Sequence, residues 1–200
     1  MIIYGLNSPH VAKIRAILDL KSVKYESVSV DLKNKSEEFL QVSKTGKIPA
    51  IDDNGIQIYD SWKIIEYINE KYPQNNIFPN SIEEKVIVYN ITTLVDNIFD
   101  SLREIYMKKF WLIELSEKRE NEIIEQVKQK IWIISQELWN KEFLVWDSLT
   151  IWDIYISILG YVTTFKLDIE SGISDWSENF IDKFIPNAFP KSDEKAIKNI

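Results

Sequence analysis

The chain has 200 residues, 45% of them hydrophobic and 28% charged, so it is long enough and apolar enough to bury a full core. It has no cysteine and one histidine, which excludes disulfides and protein thiolates and argues against a metal site. The net charge is −7, and the acidic excess lies after residue 75, which argues against nucleic acid as a partner.

The first part of the chain alternates between strand and helix patterns. Residues 2–4 predict a short strand, and Pro9 is typical of the first turn of a helix, where its missing amide hydrogen would have no partner. We interpret the one histidine, His10, as a solvated residue at the start of this helix. Residues 25–30 then predict a second strand, and residues 36–42 a short helix.

A hairpin follows. Residues 47–51 predict its first strand, residues 52–55 (DDNG) have the composition of a tight turn, and residues 56–59 predict the returning strand. Pro49 cannot donate to a strand ladder, so it marks an edge, a bulge or a cis bond. From spacing alone, an ordinary edge-strand proline is the simplest interpretation, and Ile48 beside it could keep a free backbone.

A helix closes this part of the chain. Asp60 or Ser61 can cap it, because a short side-chain oxygen accepts a hydrogen bond from an amide of the first turn. Its apolar positions lie on one stripe between residues 64 and 72, and Pro73 ends it. A crossover followed by a hairpin predicts an α/β layer of thioredoxin type over residues 1–74.

The remainder is helical in period. Residues 75–81 predict a linker, because they have turn-forming residues and no periodic pattern. Long helices are predicted over residues 82–111 and 117–139, and shorter ones follow Thr150. We therefore predict an all-helical bundle over residues 82–200, with no segment apolar enough to span a membrane and no N-terminal leader, which favours a cytoplasmic protein.

One motif lies at the start of a strongly apolar helix. Thr150 and Asp153 have the spacing of a capping box, in which each side chain accepts from the backbone of the other's position. The helix that follows, residues 154–162, must be buried on nearly all sides. We interpret the motif as structural and not chemical.

The order α/β layer, linker and helical bundle resembles the cytosolic glutathione transferase fold. Four pieces of sequence match the family's pattern over nearly the whole chain. They are Ser8-Pro9 followed by Lys13 and Arg15, Gly46-Lys47-Ile48-Pro49, Asp60-Ser61 leading a helix that ends Glu70-Lys71-Tyr72-Pro73, and Leu149-Thr150-Ile151-Trp152-Asp153-Ile154.

The resemblance implies a glutathione site. Pro49 would be a cis proline that lets the backbone of Ile48 pair with the cysteinyl part of glutathione. Asp60 and Ser61 would hold the γ-glutamyl carboxylate and amine at a helix N-terminus. Lys47, with a residue near Lys35, would face the glycyl carboxylate.

Two hydroxyl groups compete to stabilise the glutathione thiolate. Ser8 lies seven residues before Arg15, as in serine-type members of the family, and Tyr4 lies eleven before it, as in tyrosine-type members. We prefer Ser8, because Pro9 would place it at a helix N-terminus, where an anion is favoured. The alternatives are a plain helix cap for Ser8 and a half-buried strand residue for Tyr4.

The resemblance implies a homodimeric enzyme that activates glutathione, its co-substrate, for attack on a small apolar electrophile, without a metal, a nucleic acid or a membrane. The alternative is a non-catalytic binding or regulatory protein of the same fold, similar to the stringent starvation regulators. Asp60 stands where the family usually has glutamate, and Lys44-Thr45 where it usually has Asn-Pro. Both departures favour the alternative.

Overall fold

The computed structural model describes residues 1–109, 112–137, 142–144, 148–167, 169 and 172–189. The chain divides into two compact units, one formed by residues 1–76 with residues from 183 onward and the other by residues 77–182. The exact domain boundaries predicted at residues 74 and 82 stay predictions. In the described part, no helix combines the length and the hydropathy needed to cross a membrane.

A four-stranded mixed sheet forms the centre of the first unit. Its strands are β1 (Ile2–Gly5), β2 (Glu26–Ser29), β3 (Ala50–Asp53) and β4 (Ile56–Tyr59), in the spatial order β2-β1-β3-β4. β1 pairs parallel with β2 and antiparallel with β3, which pairs antiparallel with β4. The thioredoxin-type layer predicted from the sequence is therefore confirmed.

Three helices accompany this sheet: α1 (Pro9–Leu20), α2 (Glu37–Val42) and α3 (Ser61–Lys71). Each begins after a residue whose side-chain oxygen accepts from an amide of the first turn, namely Ser8, Ser36 and Asp60. The helices bury apolar side chains that are fully shielded from solvent, as are Ile3 of β1 and Ile51 of β3. These core residues include Ile3, Ile14, Ile17, Ile51, Ile64 and Ile68.

The first strand of the hairpin differs from its prediction at both ends. We predicted its first strand over residues 47–51, but β3 spans Ala50–Asp53 and begins only after Pro49, which cannot donate to a ladder. The turn then narrows to Asn54 and Gly55, with φ of 54° and 90°. Two residues with positive φ suit the twist of a two-residue hairpin.

A buried ammonium group ties the end of α1 to the segment after α3. Lys21 is 1% exposed, and its Nζ donates to the carbonyls of Tyr72 (2.7 Å), Gln74 (2.9 Å) and Asn75 (3.2 Å). In return, the Gln74 side chain donates to the Lys21 carbonyl and the Asn75 side chain to the Leu20 carbonyl. Burial lowers the pKa of Lys21.

We expect Lys21→Met to lower the free energy of unfolding by about 2 kcal/mol, since hydrogen bonds to a charged group are stronger than neutral ones. The methionine keeps the stem but leaves three carbonyls without their donor. Urea denaturation followed by tryptophan fluorescence measures the loss, with the exposed neighbour Lys24→Met as the matched control. Equal losses in the two variants would show that the carbonyl contacts contribute nothing.

The second unit is helical. Its elements are α4 (Ile82–Lys109), α5 (Glu117–Glu137), α6 (Ile151–Tyr161), a π-helical turn (Val162–Lys166) and α7 (Ser174–Phe184), which continues into the first unit. The predicted long helices are confirmed up to residues 109 and 137, and their predicted ends at 111 and 139 lie outside the described residues. The π-helical turn was not predicted.

The predicted capping box begins α6. Asp153 is fully buried, and its carboxylate accepts from the amides of Leu144 (2.8 Å) and Thr150 (2.7 Å) and from the Thr150 hydroxyl (3.0 Å). The Thr150 hydroxyl in turn accepts from the amide of Trp152. All ten residues from 151 to 160 are buried, so this helix is the core element predicted from its composition.

Candidate active site

The sheet register places three predicted site segments at one edge. Tyr4 pairs with Ala50, and Ala50 pairs with Tyr59, so these residues form one row across β1, β3 and β4. Antiparallel pairing means that the end of β1, the start of β3 and the end of β4 lie at the same edge. Ser8 follows β1, Pro49 precedes β3 and Asp60 follows β4.

Ser8 is the N-cap of α1. Its backbone is extended, with φ of −111° and ψ of 157°, and its Oγ accepts from the amide of Val11 at 3.4 Å. The side chain is half-buried. Because the oxygen is the acceptor in that bond, the hydroxyl proton remains able to donate to an anion at the helix N-terminus.

The Tyr4 hydroxyl is engaged elsewhere. It donates to Glu38 Oε1 of α2 at 2.8 Å, and the ring, 3% exposed, packs against Phe39. Burial and then the hydrogen bond to the Glu38 carboxylate raise the pKa of Tyr4 to about 12. A phenol whose proton is held by a carboxylate is a poor donor to a second anion.

The segment before β3 has the backbone conformation that the resemblance implies. The Ile48–Pro49 peptide bond is cis, which confirms that prediction. Ile48 lies before the first ladder residue, Ala50. The turn is fixed by the buried Ser43, whose hydroxyl donates to the Lys47 carbonyl at 2.8 Å.

Two lysines lie at this turn. Lys47 is exposed. A Cβ built on Gly46, the preceding residue, would lie 3.3 Å from the Lys35 ammonium, so Lys35 reaches over the backbone of the turn. Gly46 itself has φ of 62°, which side chains disfavour. The Lys35 ammonium thus lies at the backbone of the turn that holds Lys47, and the predicted role of these lysines toward an anionic group stays a prediction.

Asp60 caps α3 in an unusual backbone conformation. Its φ is 97°, and its Oδ1 accepts from the amides of Trp62 (3.1 Å) and Lys63 (3.3 Å). Positive φ in a residue other than glycine is costly and is often found at ligand sites. Oδ1 of this exposed carboxylate thus caps the helix, and Oδ2 has no hydrogen-bond partner among the described residues.

His10 lies in the first turn of α1 as predicted, but it is not a solvated residue. It is half-buried, and its Nδ1 lies 3.5 Å from Oγ of Ser61, the first residue of α3. Burial and then the charge of Lys13 lower the pKa of His10 to about 3, so the imidazole is neutral at physiological pH. Its proximity in sequence to Ser8 was the only signal that could have indicated a place at this edge.

The edge thus combines a hydroxyl donor at the N-terminus of α1, the backbone of Ile48 just before β3, the N-terminus of α3, and the lysines of the turn before Pro49. Such an arrangement suits an extended, anionic peptide with an ionisable group near Ser8. Among the described residues, no three His, Asp or Glu side chains group as ligands for a metal ion.

The chain joins a thioredoxin-like α/β domain to a helical region. A family model described as "Glutathione S-transferase, N-terminal domain" matches residues 4–76. A Tau class glutathione S-transferase from mango, Mangifera indica, has the same fold, with a TM-score of 0.78 and 23% identity over 99% of this chain and 96% of that one. The chain belongs to the cytosolic glutathione S-transferase superfamily.

Two curated relatives agree. Glutathione S-transferase U7 of Arabidopsis thaliana is 30% identical over 155 residues, which cover 77% of this chain and 66% of that protein. A zeta class glutathione S-transferase of Euphorbia esula is 34% identical over 101 residues, 49% of this chain and 45% of that protein. The chain thus matches less than two thirds of the length of either relative.

Proposed function

We propose that this protein is a glutathione transferase that activates the glutathione thiol for attack on a small apolar electrophile. The observation that supports this best is the sheet edge where Ser8 caps α1 beside the segment containing Pro49. The similarity to proteins named as glutathione S-transferases supports the same activity.

The chemistry needs only a stabilised thiolate. The thiol proton leaves to solvent, and the Ser8 hydroxyl donates to the sulfur anion at the N-terminus of α1, which lowers the thiol pKa. The thiolate then forms a carbon–sulfur bond with the electrophile. The electrons of the broken bond depart with the leaving group.

The rest of glutathione lies along the same edge in this proposal. The Ile48 backbone pairs with the cysteinyl residue, and Lys47 and Lys35 attract the glycyl carboxylate. Ser61, through its hydroxyl and its backbone amide, binds the γ-glutamyl carboxylate, and the second oxygen of Asp60 binds the γ-glutamyl ammonium. Glutathione is a co-substrate here, and no step requires a metal.

We also propose that the protein is a cytoplasmic homodimer, as the family implies. Ile82, Val86 and Tyr89 lie on one face of α4 and are 75%, 50% and 42% exposed. Apolar side chains at this spacing, left uncovered, support an interface. Sedimentation at micromolar concentration tests this, and a monomer would contradict it.

Calorimetric titration with glutathione followed by a conjugation assay with chlorodinitrobenzene tests the activity. We expect binding at millimolar glutathione or below, and turnover that releases chloride. Absence of binding heat would overturn the proposal. Binding without turnover, for several electrophiles, would favour the regulatory alternative.

Asp60→Asn should weaken glutathione binding about tenfold while leaving stability nearly unchanged, because asparagine keeps the cap and tolerates positive φ but cannot pair with the ammonium. Calorimetry gives the affinity and urea denaturation the stability. Glu66→Gln, an exposed charge change on the same helix, is the control. Unchanged affinity in Asp60→Asn would remove Asp60 from the site.

A further inference from the structure

The first turns of α1 and α3 meet at His10 and Ser61. His10 is the second residue of α1, two after the cap Ser8, and Ser61 is the first residue of α3, directly after the cap Asp60. The imidazole Nδ1 and the Ser61 hydroxyl lie 3.5 Å apart, 51 residues apart in sequence. The contact therefore depends on the tertiary fold and not on local structure.

The contact has a defined chemistry. A neutral imidazole has one N–H donor and one acceptor nitrogen, and a hydroxyl can complement either. In each tautomer the hydrogen bond restricts rotation of the serine Cα–Cβ bond. The remaining donor or acceptor site of the Ser61 hydroxyl then points in a fixed direction.

We propose that His10 is a positioning residue for Ser61, and that it holds the Ser61 hydroxyl in the orientation that binds the γ-glutamyl end of glutathione. This inference rests on the function proposed above. Ser61 touches the co-substrate, and His10 acts through Ser61.

A purely structural role explains the site less well. If this half-buried position on the first turn of α1 only needed a ring for packing, an apolar aromatic ring of similar size would fill it without the cost of burying a polar ring. Here a polar ring occupies it and its nitrogen faces a hydroxyl. Through Ser8 and His10, the first turn of α1 then fixes both the sulfur end and the glutamyl end of the tripeptide.

His10→Phe tests the proposal, because phenylalanine keeps a ring and removes the hydrogen bond. We expect the dissociation constant and KM for glutathione to rise about fivefold, with kcat at saturating glutathione unchanged. His10→Asn, whose amide can occupy the place of Nδ1, should restore most of the affinity. The same measurements in a Ser61→Ala background complete a double-mutant cycle.

In the Ser61→Ala background, His10→Phe should have no further effect on affinity. Additive effects would overturn this proposal while leaving the transferase proposal intact, as would failure of His10→Asn to restore binding. A fall in kcat with unchanged KM would also overturn it. If the unmodified protein binds no glutathione, the transferase proposal and this inference both fail. If it binds glutathione but the two substitutions act additively, only this inference fails.

Discussion

Asp153→Ala is expected to lower the free energy of unfolding by about 3 to 5 kcal/mol, because the buried amides of Leu144 and Thr150 lose the carboxylate that accepts their hydrogen bonds. Alanine cannot replace either bond, and water cannot easily reach a fully buried site. The start of α6 and the segment containing Leu144 should loosen together. Urea denaturation followed by tryptophan fluorescence measures the change.

Two variants separate this effect from helix capping in general. Thr150→Ala removes the cap hydroxyl alone and should cost about 1 kcal/mol. Asp175→Ala removes an exposed acidic residue from the first turn of α7 and should cost less than about 1 kcal/mol. If Asp153→Ala cost no more than Thr150→Ala, the bond to Leu144 would have no energetic role.

The capping box was predictable because its signal is local. Thr150 and Asp153 are three residues apart and precede a run of apolar residues, so the side chains can meet only at a helix start. The bond from Leu144 was not predictable, since that residue lies nine positions away in a segment with no regular period. The sequence therefore predicted the role of Asp153 but not the number of groups it satisfies.

The hairpin shows the same limit. Apolar residues on both sides of DDNG predicted two strands and a turn, and both strands exist. The start of β3 was wrong by three residues, because hydrophobic pattern does not distinguish a strand from an extended loop that leads into it. Pro49 was the available signal, because proline has no amide hydrogen to donate and so more often precedes a paired strand than lies within it.

At the candidate site, the sequence named candidate residues but could not predict their contact partners. Spacing from Arg15 left Tyr4 and Ser8 as rivals for the thiolate. What distinguishes their surroundings is Glu38, 34 residues from Tyr4 in sequence, whose carboxylate accepts a hydrogen bond from the phenol. His10 likewise gained its partner, Ser61, from helix packing. Neither contact has a sequence signature.

Ser8→Ala is expected to lower kcat/KM for conjugation about 100-fold or more, since it removes the one side-chain donor proposed to stabilise the thiolate. The pKa of bound glutathione should rise toward that of a free thiol. The pH dependence of the rate and the ultraviolet absorbance of the thiolate measure this. Ser116→Ala, which removes a similar hydroxyl cap before α5, controls for the lost helix cap.

Tyr4→Phe is expected to retain activity, in contrast to Ser8→Ala. Phenylalanine keeps the ring against Phe39 and loses only the bond to Glu38, so turnover should stay within about twofold of the unmodified protein while stability falls by about 1 kcal/mol. Loss of turnover in Tyr4→Phe, with activity retained in Ser8→Ala, would assign the thiolate to the phenol. The phenol could then stabilise the thiolate only after its hydrogen bond to Glu38 is broken. Glu38→Gln would therefore raise the activity, whereas it should leave the activity unchanged when Ser8 stabilises the thiolate.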